Sequence, residues 1–582
     1  VRACALIPLL LACAITAHAE PLRNALTGAT SPYLAMHADD PVAWQPWSEE
    51  TLNRARREQR LIFVSSGYFA CHWCHVLQQE SFRDPGFAAL LNQHFMPVKV
   101  DREAAPALDA ELRRAMQALS GRAGWPLNLV LTPAGDPLYG FIYAPRPELI
   151  ARLDRLRRLR QDAPQRIDGL ARAASAELHP QPSPTACLDA DAARALLRDA
   201  LLQAADPLAG GFGEGPKFPH AIRLLAMLRL LEQAPDPALR EHLGLTLDTM
   251  ANAGLRDRVG GAFFRYTTDP AWQYPHFEQM LIDQALLARV YLRAGKFLNT
   301  PRWRSTAEQL IHATLRDFAH PSGLYVSSIS ALDAEGREGG GYLWTEAALR
   351  ALLPEAAWQA TRRWGWARHD DWHGGLLPSR IDMSLASRDA LQRMLDTRPR
   401  PVHPRDEQTP IAANGQLLAT LSEACIDGVH EACPAGQRLA TQLAALAPGD
   451  LADLRDLTHL AEGLATWGRQ HNHPAALRQA RTALDNAARR SLRADGWLTS
   501  RRPLPAWSGA TPGLPDDEYP SASATWQRLA RQTGLSVTQP ARLDASILAA
   551  PLTHISSLLA ASDSANSCPP PANDTAPEPP QR

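Results

Sequence analysis

The tetrapeptide Cys71-His72-Trp73-Cys74 constrains this chain more than any other feature, because of what stands on either side of it. Before it runs Leu61-Ile62-Phe63-Val64-Ser65, an apolar stretch of strand length, and after it Val76, Leu77 and Glu80 continue at helical spacing. A CxxC pair in a strand-to-helix turn sets its first sulfur at a helix N-terminus, where unpaired N–H groups and the helix dipole favour the thiolate. Cys71 is therefore expected to be the more exposed, attacking thiol. Cys74, one turn inside the helix, is expected to be the buried resolving thiol. His72 is expected to add positive charge beside Cys71.

The flanking pattern agrees with that placement. Ser48 opens a helix that runs to about Glu58, Asp84-Pro85 starts a short one, and Phe95 to Val100 reads as a second strand. Leu108 to Leu119 is helical, Leu127 to Leu131 is a third strand, and a turn at Pro133 to Asp136 leads to a fourth near Leu138 to Ile142. A last helix carries Leu149, Ile150, Leu153, Leu156 and Leu159. The order βαβαββα, with CxxC after its first strand, predicts an α/β thioredoxin-like domain over residues 20–165. Trp125 and Pro126 stand where such domains place a cis-proline facing the sulfurs, so His72, Trp73, Trp125 and Pro126 are the expected supports of the redox site.

Other uses of the motif fit less well. A purely structural disulfide does not account for the preceding strand and following helix. Cys74-His75 completes a c-type haem attachment pattern, yet that motif has no need of the strand-to-helix turn or the downstream proline. Zinc held by Cys71, Cys74, His72 and His75 would crowd four ligands into five residues of one helix start, a poor fit to a tetrahedral ion. No cofactor and no metal is expected.

At 582 residues the chain exceeds one ordinary core, so two or three domains are expected. A formal net charge of -1 provides no global field for nucleic acid or an anionic membrane. Arg2, the apolar run Ala3 to Thr16 and the small-x-small Ala17-His18-Ala19 read as a leader over residues 1–19, cleaved after Ala19. Leu10-Leu11-Ala12-Cys13 resembles a lipoprotein cleavage site and is the lesser alternative. No later segment is apolar for long enough to span a bilayer. A periplasmic or secreted location follows as an expectation, and it changes the meaning of the cysteines. Loss of Cys4 and Cys13 with the leader leaves Cys71, Cys74, Cys187, Cys425, Cys433 and Cys568, an even number for an oxidising compartment. Cys425 and Cys433, close together in a Gly/Pro-containing loop, are the expected structural pair, with Cys187 to Cys568 a weaker one.

Beyond Arg160 the chain changes character. The arginines at 152, 155, 157, 158 and 160 lie opposite the leucine stripe and read as a solvated helix face. Pro164 and His179-Pro180-Gln181-Pro182-Ser183-Pro184 mark residues 166–186 as an extended linker. Residues 187–560 read as amphipathic helices separated by recurring glycine turns at Gly210-Gly211, Gly260-Gly261, Gly323, Gly374-Gly375 and Gly496, with the Cys425 to Cys433 loop filling the widest gap. Six units of fifty to sixty residues suit an all-α (α/α)6 barrel, in preference to a helical solenoid with its shorter repeats. Residues 561–582 read as a disordered, proline-rich tail.

One end of such a barrel is built from loops. Arg265, Tyr274, His276, Glu278, Asp283, Asp333 and Trp344 are the polar and aromatic residues expected to line a pocket there. His276 and Glu278 suit acid and base roles with Asp333 as partner, while Tyr274 and Trp344 suit stacking on sugar faces. The plainer alternative has Glu278 and Asp283 capping a helix and His276 packed in the core.

Seven stretches then occur in order: Ser31-Pro32-Tyr33-Leu34, Cys71-His72-Trp73-Cys74-His75-Val76, Val100-Asp101-Arg102-Glu103, Gly124-Trp125-Pro126-Leu127, Gly260-Gly261 with Phe264-Arg265-Tyr266, Pro275-His276-Phe277-Glu278, and Ala331-Leu332-Asp333-Ala334. From about Asn24 to Gly534 the chain resembles the spermatogenesis-associated thioredoxin-like family, in which a thioredoxin-like domain of formerly unknown function is fused to a six-hairpin, glycosidase-like barrel. It departs from that pattern at Ala412-Ala413-Asn414-Gly415, which lacks an aromatic, at Asp456-Leu457, which lacks a tyrosine, and at the uncharged Ala104-Ala105. The resemblance implies the two-part architecture and names no substrate. Three functions fit the residues. The first is a thiol-disulfide oxidoreductase whose barrel recognises a carbohydrate or a protein client, with a protein thiol or disulfide as redox partner. The second is a carbohydrate-active barrel, hydrolase or epimerase-like, with an accessory thioredoxin domain. The third is a non-catalytic scaffold or chaperone.

Overall fold

The architecture is that of a computed structural model, which describes residues 21–179, 185–186, 189–493, 496–505, 507–509, 511, 514–533, 543–544 and 551–562. The expected leader, Cys187, Cys568 and the tail beyond residue 562 lie outside these residues. Two parts are evident, and both match the expected fold classes.

In the first part, helices α1 (Pro32–Ala35) and α2 (Glu49–Glu58) precede strand β1 (Leu61–Gly67), and α3 (His72–Leu77) runs directly into a π-helical turn at Gln78–Phe82. Then come α4 (Pro85–His94), β2 (Phe95–Asp101), α5 (Pro106–Ser120), β3 (Leu127–Leu131), β4 (Pro137–Phe141), α6 (Arg146–Asp162) and α7 (Pro164–Leu178). The sheet order is β2-β1-β3-β4, with β1 parallel to β2 and antiparallel to β3. The unbroken apolar run in β1 is explained by burial on both faces: Leu61 and Phe63 enter one core with Leu77, Phe87 and Leu153, while Ile62 and Val64 enter another with Met96, Val98 and Leu112. Ser48 and Asp84 cap α2 and α4 as their sequence positions predict, each accepting from a backbone N–H three residues on.

The expected linker needs correction. Pro164 begins α7 rather than an extended connection, because proline at a first helical position forfeits only an N–H that had no partner. Leu178, at the end of α7, is buried in the same core as Val98 and Leu112, so the first part extends past residue 165.

The second part begins with α8 (Ala190–Gln203), α9 (Ala221–Gln233), α10 (Pro237–Asn252), α11 (Leu281–Phe297) and α12 (Pro301–Asp317). After an excursion with α13 (Glu346–Leu352), α14 (Glu355–Thr361) and α15 (Leu385–Thr397) it resumes with α16 (Ile411–Ile426), α17 (Ala432–Ala444), α18 (Leu454–Gln470), α19 (Pro474–Ser491), α20 (Ala522–Thr533) and α21 (Ile555–Ser562). Helices α9, α11, α16, α18, α20 and α21 pack each on the next, and α21 returns to α9, so six inner helices close a ring. Helices α8, α10, α12, α17 and α19 flank it. Nearly every side of α11 and α16 is buried, as an inner position demands.

Tight approach within the ring has a sequence cause. A Cβ on Gly415 would strike the carbonyl of His459, so only glycine lets α16 and α18 touch. Its neighbour Asn414 bonds both the N–H and the carbonyl of Tyr325, each at 2.9 Å. The turn at His373-Gly374-Gly375 is not a barrel unit. It has the left-handed backbone found at Gly210, Gly211, Gly261 and Gly323, but the neighbouring helices α13 and α14 are seven residues each and pack in a separate cluster with Trp344 and Trp364.

Candidate functional site

Loops joining outer to inner helices form one end of the barrel, and the thioredoxin-like domain sits on that end. Ala331 N–H donates to the carbonyl of Ala70 at 3.2 Å, next to Cys71. Ser327 donates to Glu103 at 3.1 Å, Gln408 to Asp101 at 2.8 Å, and Arg102 makes a two-pronged pair with Glu518 at 3.0 and 2.8 Å. The Cys71–Cys74 motif therefore faces the barrel mouth.

Cys71 is the N-cap of α3, its Sγ accepting from the N–H of Cys74 at 3.2 Å, and the two cysteines form a disulfide with Cα atoms 5.3 Å apart. The Trp125–Pro126 peptide is cis. The expected exposure of Cys71 is overturned: it is 3% exposed and Cys74 1%, and both belong to one apolar cluster with Met280, Ile329 and other barrel residues. A free thioredoxin-like domain would leave the first cysteine open to solvent; here the barrel loops cover it.

His72 also departs from expectation. Burial pulls its pKa down to about 4, outweighing the upward pull of Glu338, so it is neutral at pH 7 and lends Cys71 no positive charge. Trp73 remains 37% exposed, its ring 4.8 Å from Tyr143. Trp125 donates to Asp109 at 3.0 Å and lies under the guanidinium of Arg102, 4.2 Å from its ring centre, and that of Arg265, at 5.2 Å.

The seven barrel residues divide. Arg265 and Glu278, both buried, meet at the hydroxyl of Tyr68, which lies three residues before Cys71. Tyr68 donates to Glu278 and accepts from Arg265, and Arg265 also pairs with Glu518. Burial raises the Glu278 pKa to about 7 against the pull of Arg265, and does the same to Asp283, in the first turn of α11, with Glu518 adding to the rise. The Glu518 carboxyl is held far below its usual range: burial opposes this, but Arg102 and Arg265 prevail. His276 pairs through Nδ1 with Glu338 and stacks on His72, ring centres 4.8 Å apart. Glu278 does not cap α11, whose first turn follows Met280 without a side-chain cap.

Tyr274, Asp333 and Trp344 do not join this group. Tyr274 packs on His369 and Trp372 of the excursion, 5.1 and 6.0 Å away between ring centres. Asp333 holds its own turn, accepting from the N–H groups of Glu335 and Arg337 and from the Arg337 side chain at 2.8 Å. Trp344 is buried among Val259, Leu349 and Trp358. Tyr274 and Trp344 suit a pocket by type but pack on the excursion, whereas the turn that Asp333 holds together is the one that carries Glu338 to His276.

Tyr33, Tyr68, Arg102, Glu338 and Glu518 were given no chemical role from the sequence. Tyr33 is fully buried and its hydroxyl has no hydrogen-bond partner. A Cβ on Gly67 would lie 2.8 Å from Cys74 Sγ and closer still to the Tyr33 hydroxyl, so the two share the space that glycine leaves open. Signals existed for Tyr33 and Arg102, in Ser31-Pro32-Tyr33-Leu34 and Val100-Asp101-Arg102-Glu103. Nothing local marks Glu338 or Glu518. Cys425 and Cys433 are joined, Cα atoms 4.7 Å apart, but as members of α16 and α17 rather than of the loop between them.

Comparison with known protein families bears on the thioredoxin-like part of this architecture. Residues 23–172 match the family Thioredox_DsbH, described as protein of unknown function, DUF255. Spermatogenesis-associated protein 20 of Homo sapiens is 35% identical over 361 residues, covering 58% of this chain and 46% of that protein; the Rattus norvegicus protein is 35% identical over 352 residues, covering 57% and 45%. The chain thus spans about half the length of the curated relatives it matches. Among solved structures it is similar to a D-mannose isomerase (TM-score 0.38, 10% identity, 59% of this chain and 82% of that one) and to a sugar epimerase from a ruminal bacterium (TM-score 0.31, 11% identity, 60% and 100%).

Proposed function

Starting from a Thioredox_DsbH domain seated on the mouth of a six-hairpin barrel, we propose that the chain is a thiol-disulfide oxidoreductase whose redox centre is held closed by its own barrel. The observation that carries this reading is the Cys71–Cys74 disulfide at the start of α3, covered by barrel residues. In the reduced protein the Cys71 thiolate attacks a client disulfide, forming a mixed disulfide and releasing one client thiolate. Cys74 then attacks Cys71 Sγ, closing the intramolecular disulfide and releasing the second. Reduction of a client and oxidation of the pair balance at two electrons. The client, a protein disulfide or a carbohydrate-bearing protein, reaches Cys71 when the barrel loops withdraw. The reading includes export to an oxidising compartment after cleavage at Ala19.

Equilibration of the full chain in glutathione or dithiothreitol buffers tests it. A catalytic pair titrates at a potential within the range of about -270 to -120 mV spanned by thioredoxin-like oxidoreductases, whereas a structural disulfide stays oxidised to below about -300 mV. The second outcome would refute the proposal.

A second reading, a carbohydrate-active barrel, is favoured by Glu278 and Asp283, two carboxyls pushed up to about 7 at one barrel mouth, the range a general acid needs. Turnover of an oligosaccharide panel that is lost in Glu278→Gln and kept in Cys71→Ser would favour it over the first.

A further inference from the structure

His72 and His276 come from different domains, yet Nδ1 of each lies close to one carboxylate. Glu338 Oε1 pairs with His276 Nδ1, and Oε2 lies 3.4 Å from His72 Nδ1. One ligand-type atom from each of the three lies within 4.8 Å of the other two. The rings are nearly parallel, 17° apart. His72 Nδ1 is shut off from solvent and has no hydrogen-bond partner, a lone pair or N–H left unused at a buried position. All three side chains are largely buried, at 16%, 11% and 17% exposed, so the cluster is no chance meeting of surface charges.

We propose that His72, His276 and Glu338 form a transition-metal site that bridges the two domains. Two imidazoles and a carboxylate are the donor set of three-ligand zinc centres, and they suit Zn²⁺, Co²⁺ or Ni²⁺ far better than Mg²⁺ or Ca²⁺, which want oxygen. The fourth position is left to a water. This set differs from the crowded CHWCH combination because its ligands come from three separated segments, which leaves room for tetrahedral spread. Its consequence is mechanical. An ion held by both domains fastens the barrel mouth over the redox motif. The inference rests on the placement of the domains and not on thiol exchange.

Zn²⁺ titration of the oxidised full chain, with Cys71 and Cys74 locked in their disulfide, tests it by calorimetry. One ion per chain is expected, with a rise in the unfolding midpoint. His72→Gln and Glu338→Gln should each weaken binding by more than about 10-fold, the loss that even an outer partner of a metal site produces. His312→Gln, at the exposed His312–Glu431 pair, should leave binding unchanged. No stoichiometric Zn²⁺ binding by the folded wild type, or equal binding by folded His72→Gln and Glu338→Gln, would overturn the proposal. Should either variant misfold, the wild-type stoichiometry and the other variant still decide.

Discussion

Two disulfides with similar covalent reach, Cys71–Cys74 and Cys425–Cys433, sit in opposite chemical settings. Cys71 begins a helix, accepts an N–H and is buried in one apolar cluster with Met280 and Ile329 of the barrel, while Arg265 and Glu278 meet at the hydroxyl of Tyr68 three residues earlier. Cys425 and Cys433 join the end of α16 to α17 on the outer side of the barrel, half-buried, near a groove of about 660 Å³ that Gly428 to Glu431 help to line. Cys433 also stands in the first turn of its helix, α17, so what sets the pairs apart is the barrel residues that close over Cys71. On the proposed reading, the bond alone does not make a redox centre. What does is a nearby means of stabilising thiolate, together with a part that governs access.

The comparison can be broken most severely by serine substitution. Cys71→Ser is expected to abolish insulin-disulfide reduction, while the Cys425→Ser/Cys433→Ser protein retains the wild-type rate; equal loss in both would erase the distinction. Next in size is the cover over Cys71. Arg265→Ala strands Glu278 and Glu518 without one of their cationic partners, and breaking a buried pair costs about 3 kcal/mol, roughly 100-fold in the open population. Alkylation of reduced Cys71 should accelerate by a comparable factor, and an unchanged rate would show that the barrel does not gate the thiol.

The outer disulfide should reveal itself in stability instead. Closing so short a loop stabilises by about 2–3 kcal/mol in the chain-entropy treatment, so Cys425→Ser/Cys433→Ser should lower denaturant stability by that amount. A smaller effect sharpens the electrostatics of the mouth. The Asp283 pKa is raised in the folded state to about 7, so its ionisation weakens the fold progressively as pH climbs from its unfolded value towards 7, and the penalty is complete above that. Asp283→Asn removes the penalty. Its stability relative to wild type should improve between pH 5 and pH 8 by on the order of 1 kcal/mol. A difference that is flat with pH would mean Asp283 is not held protonated.

Much of the fold was legible because it is written in local pattern. The two-faced apolar run in β1, the caps Ser48 and Asp84, the CxxC placement and the cis-proline position are all short-range features. So is the alternation of amphipathic helices that closes into six inner elements. The turn at Gly374 misled because the left-handed backbone that glycine permits is the same in a barrel hairpin and in an excursion. The site itself was legible only in half. Arg265, His276 and Glu278 announce themselves as polar residues in a loop-rich segment, but Tyr274 and Trp344 announce themselves equally and pack elsewhere.

By itself the sequence determined where the sulfurs sit on their helix, which segments are strand or inner helix, and that the chain has two parts. The tertiary structure alone decided that the barrel covers Cys71, that His72 is neutral, and that Glu338 and Glu518 belong to the centre. The reason is physical. Periodicity and capping act over a few residues, whereas burial and pairing are set by residues up to 416 positions apart that meet only when one domain seals the mouth of the other.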